Sequence, residues 1–154
     1  MKEKIDIISN GETEESRILS NFSENEFFFD GVRCAGMEGF LQSLKYICPK
    51  KQRQICALSG KTAKKAGTGK KRWKITGGVY WKGKRYYRLS VEYLELILRA
   101  YRAMYRQNER FRKTLDGTRG KILCHSIGNP NPKDTILTEK EFIFMLCKTR
   151  SLGL

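Results

Sequence analysis

Glu38, Gln42 and Lys45, in the segment GMEGFLQSLKY, are the residues whose types and spacing can do chemistry. At 100° per residue, spacings of four and seven place all three side chains on one helical face. The apolar residues Phe40, Leu44 and Ile47 point to another face. A carboxylate can stabilise a cationic centre or orient water, and an amine can donate a proton, hold a phosphate or form an imine. The same spacing also fits an ordinary exposed face whose side-chain pairs are worth ~0.3 kcal/mol.

The region that follows Glu38 contains no acidic residue until Glu92. Residues 39–91 hold 15 Lys and Arg and no Asp or Glu, whereas the rest of the chain has 16 cationic and 16 acidic residues. The formal net charge of +15 therefore resides in one segment. A charge so localised predicts a polyanionic partner, because cations near phosphates release condensed counterions. The expected contacts to nucleic acid or phosphate are Lys61, Lys64, Lys65, Lys70, Lys71, Arg72, Lys74, Lys82 and Lys84.

Aromatic residues alternate with cations in the second half of this basic segment: Trp73, Tyr80, Trp81, Tyr86 and Tyr87. Such side chains can stack on a nucleobase, a contact worth ~1–3 kcal/mol in proteins that bind single strands. Each also buries a large apolar area, so packing in the core is the competing interpretation for some of them.

The composition, 40% hydrophobic and 31% charged over 154 residues, predicts one globular domain that spans residues 1–154. The patterns predict an α+β fold, a compact domain that is predominantly helical with a few short strands. Helices are expected over 37–48, 51–59, 90–117 and, after a capping box at Thr138 and Glu141, near the C-terminus. Strands are expected in IDII, RILSNF, EFFFDGV and KILCHSI. Residues 59–90 are interpreted as a long functional loop, with a hairpin around Gly77-Gly78 whose arms are WKI and VYW.

Several classes of protein are excluded. No apolar run approaches the ~20 residues of a membrane span, and the start lacks a signal-peptide core. We therefore expect a cytoplasmic protein that does not contact a membrane. No obligate protein partner is expected either. Five cysteines without a C-x-x-C and a single histidine favour neither disulfides nor a metal site, and no cofactor is expected. Most of the cysteines are expected to be buried. SGKT lacks the first glycine of a phosphate-binding loop, where Ile55 stands, and His125 is expected to be structural.

Motifs along the chain resemble the YbiA-like family, also called NADAR for its association with NAD and ADP-ribose. Typical members have S-N-F, a strand with D-G, and then S-x-E-x-x-x-Q-x-x-K-[FY]. The matching residues occur in the same order and spacing: Ser20, Asn21, Phe22, Asp30, Gly31, Glu38, Gln42, Lys45 and Tyr46. The likeness runs from about residue 17 to residue 150, through AYRAMYRQNERFRKTLDGT and TILTEKEFIFML.

The resemblance implies a small α+β enzyme that hydrolyses an N-glycosidic bond to a ribose phosphate. The family's functional glutamate corresponds to Glu38, and the Q-x-x-K of the same helix corresponds to Gln42 and Lys45. Glu38 and Lys45 are therefore the expected catalytic residues. The expected substrate-binding residues are Asn21, Phe22, Gln42, Trp81, Arg85 and Arg88.

Two reactions follow from the resemblance. Some members split phosphoribosylated intermediates of riboflavin synthesis, and similar enzymes remove ADP-ribose from guanine in DNA. The chain departs from the riboflavin branch because Gly39 replaces a histidine and a W-G-x-G segment is absent, while the essential tryptophan of that branch corresponds to Trp81 or to Trp73. The charge favours removal of ADP-ribose from a base such as guanine in DNA. The alternatives are hydrolysis of phosphoribosylated metabolites and a non-catalytic module that binds ADP-ribose or nucleic acid.

Overall fold

The computed structural model describes residues 1–153, which form eight α-helices and three pairs of short strands. The helices are α1 (Glu14–Ile18), α2 (Met37–Ser43), α3 (Pro49–Cys56), α4 (Gly60–Thr68), α5 (Arg72–Thr76), α6 (Val91–Gln107), α7 (Glu109–Asp116) and α8 (Glu139–Arg150). The strands are β1 (Lys4–Asp6), β2 (Phe27–Phe29), β3 (Val32–Cys34), β4 (Gly78–Trp81), β5 (Lys84–Tyr87) and β6 (Ile122–Cys124). The predicted α+β class, mostly helical with short strands, is confirmed.

The strands form one parallel pair and two hairpins. The strand predicted in IDII is β1, which pairs in parallel with β6 from the predicted KILCHSI strand, with Ile5 opposite Leu123. The strands β2 and β3 form an antiparallel hairpin around Asp30-Gly31, and both turn residues have positive φ, as a tight two-residue turn requires. Because each sheet has only two strands, helix packing supplies most of the core.

The longest helix, α6, lies at the centre of the core. Its N-cap is the predicted Ser90, whose Oγ accepts a hydrogen bond from the Tyr93 backbone N–H. The fully buried side chains of α6 pack against β2 and α8: Tyr93, Leu96, Ile97, Ala100, Tyr101 and Met104. The capping box of α8 is present as predicted, with reciprocal hydrogen bonds between Thr138 and Glu141. The strongest sequence signals thus identified the elements that build the core.

Three predicted elements differ from those of the structure. The helix expected over 90–117 breaks at Asn108, whose backbone is extended and whose Oδ1 accepts a hydrogen bond from the Phe111 N–H to begin α7. The helix expected over 37–48 ends at Ser43, and tighter turns carry the chain to Pro49. The strand expected in RILSNF is wrong, because Arg17 and Ile18 end α1, a helix that Thr13 caps and that has two acidic residues in its first turn.

The long loop expected over 59–90 is also wrong, because it contains α4, α5 and the β4–β5 hairpin. The helical pattern of α4 was not visible because its buried positions are the small residues Ala63 and Gly67, which let α4 approach α2 closely. The segment WKI belongs to α5, which ends at Gly77 with a φ of 71°. The hairpin turns instead at Lys82-Gly83, where both φ values are positive. The expected helix at 51–59 is α3, which begins at Pro49.

Burial of the cysteines differs from the expectation. Cys34 and Cys56 are buried, Cys124 and Cys147 are half-buried and Cys48 is exposed. All five thiols are free. Within residues 1–153, no helix is long and apolar enough to span a bilayer, and the His, Cys, Asp and Glu side chains form no cluster of three or more that could hold a metal ion.

Candidate active site

A cavity of about 470 Å³ lies between α2, the C-terminal part of α4, residues 20–22 and the loop that follows β6. Its wall combines residues that the sequence analysis assigned to catalysis, substrate binding or phosphate contact with others that it did not. The expected ones are Asn21, Phe22, Glu38, Gln42, Lys45, Lys64, Lys70 and Lys74. Among the others are Ser9, Ser20, Thr68, His125, Asn129 and Asp134. The cavity therefore collects parts of the chain more than 100 residues apart.

Glu38 occupies the second position of α2 and is only 8% exposed. Its backbone N–H donates to the Asn21 carbonyl at 3.1 Å, which fixes the start of the helix against the Ser20–Phe22 segment. The Nε2 of Gln42 donates to Glu38 Oε1 at 2.9 Å, so the predicted side-chain pair exists. Burial raises the pKa of Glu38, while the hydrogen bond from Gln42 and the charges of Lys64 and Lys45 partly oppose the shift. The result is a desolvated carboxyl group held in one orientation.

Lys45 lies in the turn after α2 and reaches the same cavity. Its Nζ donates to the Gly67 carbonyl at 3.3 Å and lies 5.8 Å from the centre of the Trp73 ring. Burial lowers the pKa of Lys45 to about 8, although the charge of Glu38 acts in the opposite direction. Near neutral pH the lysine therefore exchanges easily between its charged and neutral forms, which is a property of amines used in catalysis.

Three further lysines surround the cavity. The Nζ of Lys74 forms an ion pair with Asp134 Oδ1 at 3.2 Å, and the Nζ of Lys64 lies 5.8 Å from the centre of the Phe22 ring. Lys70 lies over the ring of Tyr46. These cations can attract a phosphate without neutralising Glu38 by a direct ion pair. The six other expected phosphate contacts are exposed outside the cavity: Lys61, Lys65, Lys71, Arg72, Lys82 and Lys84.

Asn21 and Phe22, two of the expected substrate-binding residues, both line the cavity. The Oδ1 of Asn21 accepts a hydrogen bond from the buried Tyr101 hydroxyl at 2.6 Å. This contact fixes the orientation of the amide from the centre of α6 and leaves its Nδ2 as the remaining polar group. Phe22 is half-buried.

Neither tryptophan lines the cavity. Trp81 is 3% exposed, donates from Nε1 to Asp30 Oδ2 at 2.8 Å and packs edge-on against Phe40 of α2. It therefore packs against α2, the helix that carries Glu38. Trp73 is equally buried and lies beside Lys45. Of the two, Trp73 contacts a residue of the cavity, whereas Trp81 packs against Phe29 and Phe40.

Arg85 and Arg88, which were expected to bind substrate, also lie outside the cavity. Arg85 is exposed on the hairpin, where it donates to the Thr76 carbonyl. Arg88 is 2% exposed, donates to the Thr135 carbonyl and holds both carboxylate oxygens of Glu141 at 3.0 and 2.5 Å. This buried contact joins the hairpin to the capping box of α8.

The substitution Arg88→Met is expected to destabilise the fold by ~3–5 kcal/mol, because it leaves the Glu141 carboxylate without its buried partner. Urea unfolding followed by circular dichroism measures the change. Arg85→Met, in the exposed neighbour, is the control and should change the free energy of unfolding by less than ~0.5 kcal/mol. Equal stability of the two variants would contradict a structural role for Arg88.

His125, which the sequence suggested to be structural, forms part of the cavity wall. Its Nδ1 lies 2.7 Å from the Ile7 carbonyl oxygen, which can only accept, so Nδ1 carries the hydrogen. The Nε2 of the neutral ring is then an acceptor. The ring packs edge-on against Phe142, and its charged form would lower the pKa of Glu38. The partner Ile7 is 118 residues away, so spacing along the chain could not reveal this position.

Gly39 is the position at which members of the riboflavin branch often have histidine. A Cβ atom here would lie 2.3 Å from the Leu58 carbonyl oxygen and 2.9 Å from that of Ile55. Both are backbone atoms at the end of α3, so they cannot move aside as a flexible side chain would. The packing of α2 on α3 therefore has no room for a histidine beside Glu38.

Comparisons with known proteins identify relatives of both sequence and fold. The family model described as Bacteriophage protein GP30.3 matches residues 14–151. A protein of Enterobacteria phage T4, described as an uncharacterized 17.1 kDa protein in the Gp30-rIII intergenic region, is 43% identical over 129 residues, which cover 83% of this chain and 85% of that protein. The solution structure of Escherichia coli YbiA is similar with a TM-score of 0.66 and 16% identity, over 99% of this chain and 86% of YbiA. The YbiA-like fold expected from the motifs is confirmed.

Proposed function

This chain belongs to the bacteriophage protein GP30.3 family, and from its candidate site we infer that it is an N-glycosidase that removes ADP-ribose from a modified base such as guanine in DNA. The observation that carries the proposal is the Glu38 carboxyl group, buried in the wall of a cavity that four lysines also line. The fold shared with YbiA and the S-N-F and E-x-x-x-Q-x-x-K motifs support the same reaction class.

The proposed reaction places the anomeric carbon of the ribose near Glu38. The C–N bond breaks, its electron pair leaves with the base, and the oxygen of water bonds to the anomeric carbon. One proton of that water passes to the base. The ionised Glu38 carboxylate stabilises the positive charge that develops on the sugar and orients the water, with Gln42 holding one carboxylate oxygen. Lys45, Lys64 and Lys74 hold the phosphates.

The basic surface outside the cavity is proposed to contact the DNA that carries the modified base. Lys61 and Lys65 are exposed on α4, the helix that also contributes Lys64 and Thr68 to the cavity. A DNA strand that places a base in the cavity would therefore pass along α4. Acidic residues would repel it, and residues 39–91 have none.

The double substitution Lys61→Glu and Lys65→Glu is expected to weaken binding to a modified oligonucleotide. The slope of the logarithm of the association constant against the logarithm of the salt concentration should become shallower, by about one unit for each cation that contacts a phosphate. Fluorescence anisotropy at several salt concentrations measures both quantities. The control is Lys140→Glu with Lys148→Glu, two exposed cations of α8. An affinity and a slope that match those of the wild type would contradict the DNA surface.

A hydrolase of phosphoribosylated metabolites is the second candidate function, because the same carboxylate and lysines can serve a small substrate. Initial rates on an ADP-ribosylated oligonucleotide and on a phosphoribosylated riboflavin intermediate separate the two. The proposal expects faster hydrolysis of the oligonucleotide and inhibition by unmodified DNA. Turnover of only the metabolite, unaffected by DNA, would favour the second function, and binding without turnover of either would favour a binding module.

A further inference from the structure

A second cavity, of about 450 Å³, lies directly beside the candidate active site. Ser9 and Phe22 line both cavities, so together they form the boundary between the two. The other residues of the second cavity are Glu14, Arg17, Ile18, Ser23 and Arg110. The proposed hydrolysis at Glu38 uses none of these five side chains.

We propose that this second cavity binds the adenylate half of an ADP-ribosyl substrate while the ribose that is cleaved lies beside Glu38. The inference rests on the proposed function for the position of the reacting ribose. It adds to that function a ligand for the second cavity. It also gives a reason why a substrate that carries ADP-ribose would be preferred to a simple ribose phosphate.

The two arginines of the second cavity supply sites for a phosphate. The hydrogen bonds of the Arg110 guanidinium all leave from Nη2, towards Ser23 Oγ, the Glu24 carbonyl and Asn25 Oδ1. The guanidinium of Arg17 donates only from Nη1, to the Gly11 carbonyl at 2.7 Å. Each side chain is thus oriented, while its other N–H groups have no protein acceptor within residues 1–153.

These arginines also lack carboxylate partners in the described part of the chain. Neither Arg17 nor Arg110 forms an ion pair within 4 Å in that part of the chain, although the Glu14 carboxylate lines the same cavity. Guanidinium groups present planar pairs of donors that match phosphate oxygens, and such charge-assisted hydrogen bonds are among the stronger ones in proteins. Two oriented, unpaired guanidinium groups in one cavity therefore favour an anion that carries phosphate.

The remaining wall residues fit the other parts of a nucleotide. The Phe22 ring and the Ile18 side chain offer apolar surface to a base, and aromatic faces stack on any base. The Glu14 carboxylate can only accept hydrogen bonds when ionised, which suits the paired hydroxyl groups of a ribose. The first cavity thus offers Glu38 and lysines to the reacting ribose and its phosphate. The second cavity offers arginines to the other phosphate, Phe22 and Ile18 to the base, and Glu14 to the hydroxyl groups of the second ribose.

Isothermal titration calorimetry of the whole chain with ADP-ribose and with ribose 5-phosphate tests this assignment. The variant is Arg17→Glu, whose side chain is exposed and makes only the bond to Gly11. Loss of a charge-assisted contact should raise the Kd for ADP-ribose about tenfold or more. The Kd for ribose 5-phosphate should stay within about twofold, because that ligand does not reach the second cavity. The control is Arg106→Glu, an exposed arginine of α6 that lines neither cavity.

The assignment is overturned if wild-type protein does not bind ADP-ribose, if Arg17→Glu leaves its Kd unchanged, or if both ligands weaken alike. Failure of the proposed function gives a different pattern. In that case no substrate is hydrolysed, yet the binding of ADP-ribose still depends on Arg17.

Discussion

Replacement of Glu38 by glutamine is expected to lower kcat on an ADP-ribosylated oligonucleotide by ~10³-fold, the middle of the range for loss of a positioned acid–base group. The amide that replaces the carboxylate keeps an oxygen that can accept the hydrogen bond from Gln42 Nε2, so the shape of the site should survive. What disappears is the negative charge that stabilises the developing sugar cation. Substrate affinity should stay within about threefold, because the lost interaction exists only in the transition state.

The same substitution should stabilise the fold, which makes the catalytic loss distinguishable from misfolding. Since burial raises the pKa of Glu38 above its ordinary 4.5, the folded chain binds this proton more tightly than the unfolded chain. The stability of the wild type therefore decreases as the pH rises from about 4.5 through the raised folded value, and the variant is spared that loss. Above this window, Glu38→Gln should therefore have a higher Tm than the wild type.

Kinetics and thermal unfolding of Glu38→Gln, measured at pH 4 and pH 7.5, test both statements. The control is Glu95→Gln, an exposed glutamate of α6, which should change neither kcat nor Tm. A Glu38→Gln protein that turns over as fast as the wild type would rule out the carboxylate as a catalytic group. A Tm advantage equal at both pH values would contradict a raised pKa.

Replacement of Lys45 by methionine is expected to lower kcat/KM by ~10²–10³-fold, since one preorganised charge contact in a desolvated site is lost. Lys45→Arg should recover part of this loss, because it keeps a positive charge. We expect the charged amine to be the active form, since substrate phosphate and ionised Glu38 both favour the ammonium. An imine would instead require the neutral amine as nucleophile.

The pH dependence separates these roles. With the pKa of Lys45 at about 8 in the free protein, kcat/KM should decline above pH 8 if the charged form acts. The corresponding decline of kcat should lie at higher pH, because a bound phosphate raises the pKa of the lysine. A rate that keeps increasing above pH 8, together with an adduct trapped by borohydride, would show that Lys45 acts as a nucleophile.

The helix face of the site could be predicted because its geometry is local. Glu38, Gln42 and Lys45 are related by helical spacing, and the turn that follows Ser43 still brings Lys45 to the same cavity. The capping box of α8 was equally visible, since Thr138 and Glu141 are three residues apart. Such features need only the backbone of one element.

The rest of the site depends on contacts between distant parts of the chain. His125 and Asp134 reach the cavity through the loop after β6, which carries no periodic signal. Arg88 looked like a substrate contact because it closely follows other cations of the hairpin region. Its partner Glu141 is 53 residues away, so only tertiary structure could reveal the buried ion pair. The same applies to Trp81, which alternation along β4 turns into the core.

The most direct test of the central claim is the identity of the products that the wild-type protein forms from an oligonucleotide with one ADP-ribosylated guanine, read by mass spectrometry. Cleavage of the N-glycosidic bond predicts an intact oligonucleotide with unmodified guanine and free ADP-ribose in equal amounts. An oligonucleotide that retains ribose phosphate on the base would show cleavage at the diphosphate, and full recovery of the substrate would show no reaction. Either of these results would contradict the proposed function.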